Sequence, residues 1–179
     1  MFTAYNSETA PENTKATLID VEKKYGFVPN LYAYLAESET ALNAYLHIND
    51  QLMTKSSLTP AQVQLALLAI SAENGCEFCV AAHSWVTELV EANPESVVAV
   101  REGRKVENPK DAALVELAQA IVQERGYVGE SLIQRFFDAG YSKENFFDLL
   151  VCNMLKSLSN YANHVTKTEA NGPLEKYLR

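Results

Sequence analysis

The run Gly75-Cys76-Glu77-Phe78-Cys79-Val80-Ala81-Ala82-His83 places two thiols and one imidazole within eight positions. On a helix turning about 100° per residue, positions 76, 79 and 83 fall within an arc of roughly 60°, so both sulfurs and the ring share a face. Residues three apart on a helix have Cα atoms roughly 5 to 6 Å apart, inside the window in which a disulfide closes with little backbone movement. The chemistry this permits is reversible thiol oxidation. A thiolate attacks the distal oxygen of a peroxide, the alcohol leaves with a proton from His83 or water, and the sulfenic acid condenses with the neighbouring thiol. His83 stands i, i+4 from Cys79, the relation that thiol activation requires. Between Ser56 and Val100 there is no lysine or arginine, and Glu73 and Glu77 flank the first cysteine. Thiolate stabilisation is therefore expected from a helix start and from His83, with a moderately lowered pKa.

The elements that must hold these groups read as helices throughout. Thr59-Pro60-Ala61-Gln62 combines an N-cap, a proline at the first helical position and the returning side chain of a capping box. The helix it opens ends at Asn74-Gly75, where the chain turns and restarts, which places Cys76 and Cys79 in the first turn of a helix running to about Ala92. Upstream, a helix from Pro11 and Asn13 runs to Tyr25 with Gly26 as its cap. Phe27-Val28-Pro29-Asn30 forms an extended turn, and helices follow from Leu31 and over 39–55. Downstream, helices are predicted over 94–102, 110–125 and 129–139, then a long one from the Ser142 cap to about Lys167. No segment alternates as a strand does, so the fold class is all-α, in one domain spanning 1–179. Laying His164 over His83 puts Ser157 and Asn160 over Cys76 and Cys79, an internal echo consistent with two related helical halves.

Composition narrows the partners. A net charge of -8 and a pI near 4.9 disfavour nucleic acid and anionic membrane, both of which call for basic patches. Met1 to Pro11 has no basic region followed by an apolar one, and no apolar run reaches the roughly 18 residues of a membrane span. The chain is expected to be soluble and cytoplasmic. Three cysteines do not make a structural disulfide framework, and in a reducing compartment a Cys-x-x-Cys is catalytic or metal-binding.

Leu58-Thr59-Pro60, an apolar helix, Asn74-Gly75-Cys76, Cys79 and His83 together resemble the alkylhydroperoxidase D (AhpD) family, within the carboxymuconolactone decarboxylase-like superfamily. The core of the resemblance covers about 58–90. Gly26-Phe27-Val28-Pro29-Asn30-Leu31 and Asn160-Tyr161-Ala162-Asn163-His164 are similar to members of its peroxidase-related branch. The resemblance implies an AhpD-like helical bundle and a homo-oligomer (dimer, trimer or hexamer) with its site near subunit contacts. It also implies reduction of organic hydroperoxides at the expense of a thiol or dithiol reductant such as a lipoyl or thioredoxin-like protein. It carries over Cys79 as the peroxide-attacking thiol, Cys76 as the resolving thiol and His83 as part of a proton relay. No cofactor or metal is implied. The family usually has a glutamate twelve positions before the first cysteine, where this chain has Gln64, and many members have a histidine where this one has Phe78. Gln64 can orient His83 but cannot accept a proton, so slower turnover is expected rather than loss of thiol chemistry.

Other readings remain open from the residues. Cys76, Cys79 and His83 supply three zinc ligands, with Cys152 or His164 as a fourth from a distant helix. The same pair could serve as a non-enzymatic redox sensor, and ring-opening decarboxylation is the superfamily's other namesake activity. Glu73 could replace the missing carboxylate. Cys152, among Leu149, Leu150, Val151 and Met154, reads as core. His47 and His164 read as structural, and Tyr32, Tyr34 and Tyr45 as packing or interface residues.

Overall fold

The computed structural model describes residues 1–178. Nine α-helices and a closing 3₁₀ turn follow one another, with no strand among these residues: α1 (Glu12–Tyr25), α2 (Asn30–Leu35), α3 (Glu39–Thr54), α4 (Pro60–Glu73), α5 (Glu77–Leu89), α6 (Pro94–Glu102), α7 (Pro109–Gln123), α8 (Glu130–Asp138), α9 (Lys143–Thr166) and the 3₁₀ turn Gly172–Tyr177. The all-α class read from the sequence is the class observed.

The bundle is organised around α4. The run from Val63 to Ser71 is buried without interruption, and a helix apolar on all sides has to be surrounded. It is packed by α3, α5, α6, α7 and α9. The Thr59/Gln62 capping box forms as expected, with Thr59 N–H donating to Gln62 Oε1 at 2.9 Å and Gln62 N–H to Thr59 Oγ1 at 3.2 Å. Just before it, Asp148 of α9 accepts from Ser56 Oγ (2.8 Å), Ser57 N–H (2.7 Å) and Ser57 Oγ (2.7 Å). At the far end Asn74 Nδ2 donates to Asn160 Oδ1 at 2.9 Å. Residues near the starts of α4 and α9 meet, as do residues farther along each, so the two helices run parallel.

Glycine is required at the turn after α4. Gly75 has φ +66° with nothing near a would-be Cβ, so conformation rather than space selects it. The turn lets Cys76 N–H donate to Ser71 O at 3.0 Å and leaves Cys76 extended, at φ -90° and ψ 93°, as the N-cap of α5. Cys76 thus lies one step outside the helix rather than in its first turn, while Cys79 is in that turn. α5 ends at Leu89 rather than near Ala92, because Glu91 turns left-handed (φ 53°) and Ala92 N–H bonds back to Thr87 O at 3.0 Å, satisfying a terminal carbonyl. α9 starts at the predicted Ser142 cap, whose capping box with Asn145 is complete.

The 3₁₀ turn has no periodic signature and was not expected. It is held by side chains distant in sequence: Asn171 Nδ2 donates to Val28 O at 2.9 Å, and Asn30 N–H donates to Asn171 Oδ1 at 3.0 Å. These bonds fold the carboxyl end over the Phe27 to Asn30 turn and bury Leu174 and Tyr177 in the core. The internal echo has no matching surroundings at its ends, since His83 is buried and His164 is exposed. No described helix is long and apolar enough to cross a membrane.

Candidate active site

Six buried side chains meet at the start of α5: Cys76 just before it, Cys79 and His83 within it, Gln64 from α4, and Lys156 and Asn163 from α9. The first four are the residues singled out by sequence. Gln64 Oε1 is 2.8 Å from His83 Nδ1, and Gln64 Nε2 donates to Met53 Sδ at 3.1 Å. Since the amide nitrogen is committed to Met53, the oxygen faces the ring, Nδ1 carries the ring proton and Nε2 is left as an acceptor. Lys156 Nζ fills that acceptor at 2.9 Å. Asn163 Nδ2 donates to Cys79 Sγ at 3.1 Å and lies 3.8 Å from Cys76 Sγ. With His83 against Lys156 and Cys76 against Asn163, α5 and α9 run antiparallel.

The two sulfurs have opposite environments. Burial alone would push Cys79 up, but hydrogen bonding from Cys76, the charge and hydrogen bond of Lys156, and the Asn163 amide together bring it down to about 5. Cys76 is pushed above the ordinary thiol range by its hydrogen bond to Cys79 and by burial. The pair therefore shares one proton, held on Cys76. His83 is held well below its ordinary value by burial and then by the Lys156 charge, so the ring is neutral. Burial would lower Lys156, yet the charge on Cys79 and the neighbouring Tyr45 and Cys76 raise it above its ordinary value. None of the three ion pairs among the described residues includes this ammonium.

Sequence reasoning missed Lys156 and Asn163, and it looked for the positive charge in the wrong place. No cation lies nearby in sequence, and one arrives instead from α9. A signal was present: Lys156 is the only formally charged side chain between Asp148 and Lys167, and its helical neighbours Cys152, Ser159, Asn160 and Asn163 are all small or polar.

Cys79, His83, Gln64 and Lys156 form the polar end of a cavity of ≈ 320 Å³ otherwise walled by Tyr25, Tyr32, Tyr45, Met53, Phe78 and Trp85. The exposed Lys24, Asp50 and Thr54 mark its mouth. Cys76 does not line it. Tyr32 and Tyr45, read as packing residues, are buried and tilted against each other with ring centroids 5.7 Å apart, so they serve as packing and as cavity wall at once. Cys152 is fully buried, as expected for core, while His47 and His164 are exposed. Glu73 is not among the cavity residues. All three cysteines are free. Among the described residues no three His, Cys, Asp or Glu side chains converge as a metal site would need. Beside Cys79 and His83 the cation is the lysine ammonium itself.

Residues 39–120 match the carboxymuconolactone decarboxylase family. That segment includes Gln64, Cys76, Cys79 and His83 but neither Lys156 nor Asn163. No curated protein matches the sequence. Among solved structures, the fold is shared with an uncharacterized peroxidase-related protein from Ralstonia eutropha JMP134 with an alkylhydroperoxidase AhpD core, at TM-score 0.83 and 23% identity over 97% of this chain and 95% of that one. A peroxidase-related protein from Silicibacter sp. TM1040 aligns at TM-score 0.79 and 18% identity over 95% and 92% of the two chains. A variant of the debrominase Bmp8 in complex with 2,3,4-tribromopyrrole aligns at TM-score 0.82 and 14% identity over 99% and 95%.

Proposed function

We propose that this chain, which belongs with the carboxymuconolactone decarboxylase family through residues 39–120 and has the AhpD-like fold throughout, is a thiol-dependent hydroperoxide or disulfide reductase with an antioxidant role. The observation that carries the reading is the asymmetry of the cysteine pair at the end of an apolar cavity. Cys79 is an ionised, hydrogen-bonded sulfur that lines the cavity, and Cys76 is a protonated neighbour behind it. A nucleophile has to be thiolate and reachable, and a resolving thiol has to be adjacent and keep its proton until the sulfenic acid forms. Cys79 attacks and Cys76 resolves. His83, oriented by Gln64, belongs to the chain of groups that handles the proton. The aromatic wall suits an uncharged organic hydroperoxide, and the resulting disulfide is returned to dithiol by a lipoyl or thioredoxin-like protein or a small thiol, in a reducing compartment such as the cytoplasm.

The sensor alternative differs in turnover. A steady-state assay with cumene hydroperoxide and a dithiol reductant should show repeated consumption of peroxide that Cys79→Ser abolishes. One equivalent consumed and no more would assign the pair to sensing, and no consumption at all would remove the peroxidase reading.

A homo-oligomer is part of the same proposal, and α9 supplies the surface. Phe147, Met154, Leu158, Tyr161 and Val165 are exposed along one stripe of this helix, with no charged side chain among them. An exposed apolar stripe at spacings of seven, four, three and four is the pattern of a helix-packing seam.

A further inference from the structure

We infer that Lys156 is the general acid of the oxidative half-reaction: it holds the Cys79 thiolate as an ammonium, gives its proton to the oxygen that leaves, and stands neutral beside the disulfide. The inference deepens the hydroperoxide reading and takes its leaving group from it. Lys156 and Cys79 line the same polar end of one cavity. Lys156 Nζ lies 2.9 Å from His83 Nε2, one turn along α5 from Cys79, so a peroxide that meets Cys79 Sγ shares that space with the Lys156 side chain. His83 is badly placed to be the acid. Its one ring proton points at Gln64, and its free nitrogen already accepts from Lys156.

The step balances. The Cys79 thiolate forms a bond to the distal oxygen as the O–O bond breaks, the sulfur is oxidised by two electrons, and the departing alkoxide takes the Lys156 proton to become alcohol. Cys76 then displaces hydroxide from the Cys79 sulfenic acid, and the Cys76 thiol proton leaves with that hydroxide as water. Thiolate, thiol, ammonium and hydroperoxide become disulfide, amine, alcohol and water, with no proton drawn from solvent and no net charge change. Timing follows from what surrounds the amine. The groups acting most on Lys156 are Cys79 and Cys76 from the start of α5 and Tyr45 from α3, with His83 as its hydrogen-bond acceptor; the carboxylate on the same cavity, Asp50 of α3, lies at its exposed mouth, and no ion pair among the described residues includes Lys156. Once Cys79 gives up its charge, the largest influence favouring the ammonium is lost, and burial, the largest of all, favours the neutral amine. The lysine becomes a stronger acid in the step that needs its proton.

The test is a proton count on the wild-type protein. Reduced protein at neutral pH in weak buffer is oxidised with one equivalent of cumene hydroperoxide, and pH-indicator absorbance is read beside the ultraviolet thiolate signal. The expected result is a thiolate present before and absent after, with no net proton uptake. Uptake of one proton per disulfide would mean that Lys156 stays charged, and absence of thiolate in the reduced protein would mean that no ion pair exists; either overturns the inference. Repeating the count with a small aliphatic disulfide, whose product thiols stay protonated at neutral pH, keeps the lysine question separate, because amine formation gives the same null uptake there even if hydroperoxide fails to react. Lys156→Met, close in shape and uncharged, should raise the thiolate ionisation midpoint by about a hundredfold or more in its constant. Lys156→Arg should keep the thiolate and still slow hydroperoxide reduction, since a guanidinium does not release its proton. Equal rates for Lys156→Arg and wild type would contradict the acid role.

Discussion

From Lys156 onward the two faces of α9 are patterned the wrong way round for a surface helix. Its inner face buries Leu149, Cys152 and Leu155 in the first half but Lys156, Ser159, Asn160 and Asn163 in the second, and its outer face exposes Phe147, Met154, Leu158, Tyr161 and Val165. Ordinary patterning puts the apolar stripe inward. The inversion separates two uses of one element. Most polar groups inside meet a specific counterpart: Lys156 meets His83, the Asn163 amide nitrogen the sulfurs, and Asn160 meets Asn74 and Ser71, while Ser159 Oγ bonds back to Leu155 O of its own helix. Apolar groups outside stay exposed among the described residues, which is why a second copy is the proposed counterpart. The inner face is built for chemistry and the outer for contact.

Changes facing the inner side should break the chemistry and spare assembly. The largest effect is expected for Cys79→Ser, which should lower hydroperoxide reduction by at least about a thousandfold, because the nucleophile itself is gone. Cys76→Ser should still consume one equivalent of peroxide but stop at a sulfenic acid on Cys79, visible as a mass increase without a bridge. Next comes pH. Attack requires thiolate, and Cys79 ionises near about 5, so the single-turnover rate should rise as pH is raised through that value and level off at neutral pH. It should fall again in strong alkali, where Lys156 loses its proton. A rate that begins to climb only in the ordinary thiol range near 8.5 would mean that the ion pair does not form. Gln64→Glu places an anion on the His83 Nδ1 proton, which should raise the imidazole midpoint seen by NMR while leaving the Cys79 thiolate in place.

The smallest chemical effect is expected on the outer face. Leu158→Glu combined with Tyr161→Asp should shift the protein to a smaller species in sedimentation while leaving the thiolate titration in place. If these changes move the thiolate instead, the two faces are not independent and the comparison fails.

The division between what sequence shows and what it hides follows the reach of each interaction. Local signals were legible: the Thr59/Gln62 box, Gly75, the Ser142 cap and the i, i+4 relation of Cys79 to His83 all depend on neighbours within one turn. The Gln64 contact with His83 was expected from the family spacing. Lys156 lies seventy-three positions beyond His83, and the bond between them depends on how α9 crosses α5. The same holds for Asn171 and the 3₁₀ turn, whose partners Val28 and Asn30 are more than a hundred positions away. Cys76 was misplaced by one step for a local reason. The left-handed Gly75 delays the helix start, so Cys76 caps α5 from outside while its sulfur still reaches the shared site.

The most direct measurement is a thiol inventory. Reduced protein treated with one equivalent of cumene hydroperoxide is digested and mapped by mass spectrometry. A bridge joining Cys76 to Cys79 with Cys152 left as a free thiol is the predicted result. Three unreacted thiols, or oxidation falling on Cys152 first, would contradict the account.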